Sequence, residues 1–156
     1  RQEYENRNGY PADRFPEENF YEASFSNEAL GWGAMSLEEQ LNQIGPSFHE
    51  KLFELIERSG MDNKDVWKAA NLDRKHFSKI QCDSHYHPKK KTVMALCIAL
   101  KLNLEQAKDL LARADWAFSP SSKVDLIVQK ALIDRQYDIM QLNTVLFKYT
   151  NEILGV

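Results

Sequence analysis

Between Arg74 and Lys79 every residue except Phe77 carries a polar or cationic side chain: Arg74, Lys75, His76, Ser78 and Lys79. An arginine fork can grip guanine through two hydrogen bonds, and a lysine neutralises phosphate. Ser and His add donors and acceptors, so the set suits the base edges and backbone of a nucleic acid. Lys68 precedes the cluster, and Lys89, Lys90 and Lys91 follow it, where they would clamp phosphates from the start of a helix. Three lysines at the positive end of a helix dipole repel it, so an anion is expected beside them, whether phosphate or a carboxylate from the acidic N-terminal arm. The plain alternative for all nine residues is a solvated charged surface.

Other chemistry is poorly supported. Cys82, Asp83, His85 and His87 place soft and borderline donors close together, but a structural zinc site needs four ligands, usually in separated pairs, and no second pair exists. We read this stretch as a polar loop with exposed histidines, holding no metal, and His49 as a surface residue. No Ser or Cys stands with a His and an acid in a recognisable motif, and there is no glycine-rich phosphate loop. The expectation is a non-enzyme without cofactors.

The elements that must position the cationic cluster can be read from apolar spacing. Val66, Trp67, Ala70, Leu72, Phe77 and Ile80 fit two short helices packed across each other. Asp62 and Asp73 stand at the two N-caps, and Asn71 occupies the turn, where a left-handed residue is needed and Asn substitutes for Gly. This is a helix-turn-helix pattern, whose second helix enters the DNA major groove.

The pattern continues downstream. Pro88 to Thr92 and Val93 to Glu105 supply a fourth helix, a short link and the start of a fifth. From about Ser47 to Ala114, less than half the chain, the succession resembles the lambda-repressor/Cro (Xre-type) helix-turn-helix domain. The resemblance implies an all-α fold: a five-helix bundle of that type, with two added C-terminal helices and an irregular N-terminal arm. It implies duplex DNA as ligand and a possible homodimer, because one such helix reads half a site. There are departures. Asn63 stands where the family often has a phosphate-contacting Gln, Trp67 fills a position usually held by Ala and implies a changed crossing angle, and the loop before Pro88 looks one residue long. Asp73 to Ile80 together with Ser121 to Ile127 also resemble a module found C-terminal to bacterial macro-domain and other signalling proteins, which implies a regulatory accessory piece of a longer bacterial protein.

Bulk properties agree with a globular protein. The 156 residues are 43% hydrophobic and 28% charged, enough for a sizeable core. The longest apolar run, Val93 to Leu100, is too short to span a membrane, and no secretory signal is present. The chain begins without Met, as a fragment would. Cys97 sits on the apolar stripe of a helix, so a disulfide is not expected, and a reducing cytoplasm is the simplest setting. Net charge is −3, but unevenly spread. Residues 1–46 hold three basic and nine acidic residues, residues 47–114 thirteen and nine, and residues 115–156 four and five.

Residues 1–35 are expected to form an acidic arm or linker, broken by Gly and Pro yet carrying Tyr4, Tyr10, Phe15, Phe20, Tyr21, Phe25 and Trp32. Aromatics of this kind suit an arm lying on its own domain or on a partner. Residues 36–156 are expected to form the helical domain with its C-terminal extension. Ser36 with Glu39 and Ser47 with Glu50 are capping boxes, and Asn103 with Gln106 starts a further helix. Val124, Ile127, Val128, Ala131 and Leu132 mark one added helix, and Ile139, Leu142, Val145, Leu146 and Tyr149 the other.

Two functional readings follow. One is a DNA-binding regulatory module, favoured by the charge map and the motif. The other is a protein-interaction or adaptor module that does not bind DNA, favoured by overall acidity, Asn63, Trp67 and the missing Met. A third has the acidic arm covering the basic helix as a lid, so that removing residues 1–35 raises affinity for DNA.

Overall fold

The computed structural model describes residues 34–156. The arm expected over residues 1–35 lies outside them apart from Ala34 and Met35, and with it the readings of its aromatics and of a lid. Among the described residues there are eight α-helices and no strand, which makes the protein all-α. The chain divides into Arg1–Gly45 and Pro46–Val156. The boundary between them is Gly45–Pro46, and the first helix, α1 (Leu37–Leu41), goes with the N-terminal unit. Proline disfavours helix in the residue before it, which makes this dipeptide a natural break.

In the second unit α2 spans Phe48–Ser59, α3 Asn63–Ala69, α4 Arg74–Cys82, α5 Lys90–Ala99, α6 Leu104–Arg113, α7 Lys123–Ile133 and α8 Ile139–Thr150. The starts are where the sequence signals place them. Ser47 and Asn103 form capping boxes with Glu50 and Gln106, and the carboxylates of Asp62 and Asp73 accept first-turn N–H groups; Asp138, which was not among those signals, caps α8 in the same way.

Four helices end alike, without glycine. Asn71, Lys101, Asp115 and Arg135 adopt left-handed conformations, with φ of 55°, 54°, 64° and 56°. The next residue in each case, Leu72, Leu102, Trp116 and Gln136, donates its N–H back to Trp67, Cys97, Leu111 and Ala131 at 2.9–3.1 Å. This is the Schellman closure. At three of the four ends the donor is a large apolar residue, so the bond that closes the helix also tucks a side chain against the core.

α5 is the centre. The sequence marks Val93, Leu96, Cys97 and Leu100 as its inward face, yet every residue from Thr92 to Leu100 is buried. The reason is that α3 and α6 pack against α5 and α8 packs against it as well. The added C-terminal helices thus complete the core. Val145 and Tyr149, on the apolar stripe that signals α8, remain exposed. After α8, Asn151 turns left-handed (φ 59°) and the chain returns to bury Leu154 completely.

Candidate nucleic-acid interface

α4 carries the cationic cluster, and its placement is set from three directions. Phe77 and Ile80, three residues apart on one face, are 2% and 1% exposed and fix the helix to the core. On α2, Phe53 meets the Phe77 ring edge-on with centroids 6.0 Å apart, and His49 Nε2 lies 3.0 Å from the carbonyl oxygen of Gln81, near the far end of α4. His49 is therefore half-buried and engaged rather than a free surface residue. At the near end the Asp73 carboxylate accepts the His76 N–H at 2.6 Å, and Asn71 makes the turn.

With Phe77 and Ile80 inward, the opposite face is left to solvent. Arg74, Lys75 and Lys79 are exposed, and His76 and Ser78 are half-buried. Lys68, in the last turn of α3, is exposed, as is Lys89 at the N-cap of α5. Among the described residues no carboxylate lies within 4.0 Å of the amino or guanidinium nitrogens of Lys64, Lys68, Arg74, Lys75, Lys79 or Lys89. Unpaired exposed cations keep their full charge available to an anion.

A groove of about 540 Å³ runs between α3 and α4, lined by Asn63, Lys64, Trp67, Arg74, Phe77, Ser78 and Gln81. It joins two cations to two side-chain amides and a hydroxyl over an aromatic floor. Such a set can both donate and accept, which base-edge recognition requires and phosphate contact alone does not. Lys64 and Gln81 are absent from the sequence expectation. Gln81 lies two turns after Arg74 on the same side of α4, and that spacing was the available signal.

Lys90 and Lys91 are engaged within the chain. Lys90 Nζ pairs with the Asp125 carboxylate, which is almost fully buried, and Lys91 Nζ pairs with Glu152. The anions expected beside the lysine run are thus supplied by α7 and the segment after α8, and of the run only Lys89 stays unpaired. Asp125 also accepts the Ser119 N–H at 2.7 Å and the Ser122 hydroxyl at 3.1 Å, so the buried charge is satisfied on several sides.

The loop after α4 is structural. His87 Nε2 lies 2.6 Å from the Ala114 carbonyl oxygen, and its ring sits 5.5 Å from that of Trp116, whose indole N–H donates to the Pro88 carbonyl at 2.9 Å. His87 is thereby tied to the end of α6, while it and His85 remain exposed as the sequence suggests. Among the described residues no group of His, Cys, Asp or Glu is arranged to hold a metal ion, and both cysteines are free. Burial raises the Cys97 thiol pKa from 9.0 to about 12. Among the described residues no helix is long and apolar enough to cross a membrane.

No family model matches the chain, and neither the curated proteins nor the solved structures give a significant match.

Proposed function

We propose that this chain is a non-catalytic, regulatory nucleic-acid-binding module that reads duplex DNA with α4, in the manner of a helix-turn-helix. The observation that carries this reading is the unpaired, exposed cationic face of α4 beside a groove whose amides and hydroxyl can address bases. With its side chains an α-helix is about 10–12 Å across, which the B-DNA major groove, about 12 Å wide, admits. In this reading Lys75 and Lys79 meet phosphates, and Arg74, Ser78 and Gln81 face base edges. Lys68 and Lys89 add backbone contacts from the flanks. In this reading the module acts in the cytoplasm, and pairing as a homodimer would let it read two half-sites.

The test is charge reversal. Lys75→Glu with Lys79→Glu should abolish duplex binding measured by fluorescence anisotropy while the circular dichroism of the chain is unchanged. Retained affinity in that variant would sink the assignment of α4.

A second reading, a protein-interaction module, draws on the outer surface of α7 and α8. Leu126, Val145, Met140, Phe147 and Tyr149 are exposed there, and an apolar groove of about 380 Å³ runs past Leu126, Ile127, Ala131, Leu142 and Val145. Exposed apolar surface of this kind marks protein contact sites. Binding of a protein partner with no binding of duplex DNA at low salt would favour it.

A further inference from the structure

The segment after α8 ends on the turn that sets α4. Asn71 is engaged there through both its backbone and its side chain. Its carbonyl oxygen accepts the Val156 N–H at 2.8 Å, and its side-chain amide donates to the carbonyl oxygens of Leu154 and Val156 at 3.0 and 3.1 Å. Asn143 of α8 holds the same segment from the other side, accepting the Leu154 N–H at 2.8 Å and donating to the Leu154 carbonyl at 3.1 Å. Between these contacts Gly155 lies flat on the turn at φ 84°. A Cβ there would stand 2.2 Å from the Asn71 oxygen and 2.8 Å from that of Ala70, and both are backbone atoms that cannot step aside.

We infer that residues 151–156 are a strap that makes the setting of α4 conditional on α8, through the chain Asn143, Leu154, Asn71. The strap is held by one buried side chain, a handful of hydrogen bonds and the Glu152 to Lys91 ion pair, so it can lift without unfolding α5 and α6. When it lifts, Asn71 loses the partners that fix its amide and carbonyl. The turn then relaxes, and α4 loses one of the restraints on its angle to α3. Anything that shifts Asn143 on α8 is felt at α4 by this route. The inference stands on these contacts and does not require that α4 bind DNA.

Amide hydrogen exchange on the whole chain tests it with two variants. Gly155→Ala drives the strap off by steric clash, while Asn71→Gly keeps the left-handed turn but deletes the amide that grips Leu154 and Val156. Both should speed exchange at Leu154, Val156, Asn71 and Leu72 by about tenfold or more, with Leu96 and Leu110 unchanged. Acceleration confined to Leu154 and Val156 would show a passive tail and overturn the coupling. Equal acceleration everywhere in both variants would show that the strap cannot move apart from the fold, and would overturn it too. If the wild-type chain binds duplex, Gly155→Ala should weaken that binding severalfold. If the wild-type chain binds none, the DNA reading falls while the exchange result still decides the strap.

Discussion

The side-chain amides of Asn71 and Asn143 converge on one acceptor, the carbonyl oxygen of Leu154, at 3.0 and 3.1 Å. Asn71 closes α3 and Asn143 lies within α8, so residues far apart in sequence are joined through one backbone group. Asn143→Ala strands the buried Leu154 N–H, and leaving a buried donor unpaired costs roughly 1–3 kcal/mol. Urea unfolding should show a loss in that range. The half-buried Asn71→Gly should lose less, because water can reach the groups it leaves.

The Lys90–Asp125 pair predicts a second ordering. Asp125→Ala removes the acceptor of Lys90, the Ser119 N–H and the Ser122 hydroxyl together, but the ammonium it leaves is partly exposed and water can reach it. Lys90→Met leaves the buried carboxylate without its counter-ion, which is the case that carries a cost of about 3–5 kcal/mol, and should be the more costly of the two. In a double-mutant cycle the combined variant should lose less than the sum of the two single losses.

The cysteines should separate cleanly. Cys82 is exposed and Cys97 fully buried, so a thiol reagent should label Cys82 in the native chain and Cys97 only on unfolding. Burial raises the folded Cys97 pKa from 9.0 to about 12, so the folded state favours the neutral thiol. Its contribution to stability is whole below pH 9 and declines as the pH rises from 9 towards 12. Cys97→Ala should remove that part of the alkaline loss in unfolding titrations, at the expense of a small cavity.

Roles within the lysines can be told apart. Lys75→Gln and Lys79→Gln alter exposed, unpaired groups, so stability should move by less than about 0.5 kcal/mol. Each should lower the salt dependence of DNA binding by about one phosphate contact. Lys90→Gln should do the reverse, lowering stability and leaving the salt dependence unchanged.

How far the sequence speaks depends on whether a signal is local. The N-caps at Ser47, Asp62, Asp73 and Asn103 need only residues within one turn, and they stand where the spacing puts them. Asn71 was readable as a left-handed closure because Asn is a known stand-in for glycine. Lys101, Asp115 and Arg135 were not, because their conformation is imposed by the apolar or capping residue that follows rather than by their own side chains. The burial of α5 on every side and the pairing of Lys90 with Asp125 depend on how α7 and α8 return over the core. No short-range pattern carries that information. The exposed face of α4 could be inferred from Phe77 and Ile80 alone, whereas the groove needed α3 laid beside it, which is why Lys64 and Gln81 were missed.

The most direct measurement is the affinity of the chain for duplex DNA as a function of salt. Each phosphate neutralised contributes a slope of roughly 0.9 in log affinity against log salt. Phosphate contacts from Lys68, Lys75, Lys79 and Lys89 predict a straight fall with a slope of about 3.6. No binding at low salt, or an affinity indifferent to salt, would contradict the account.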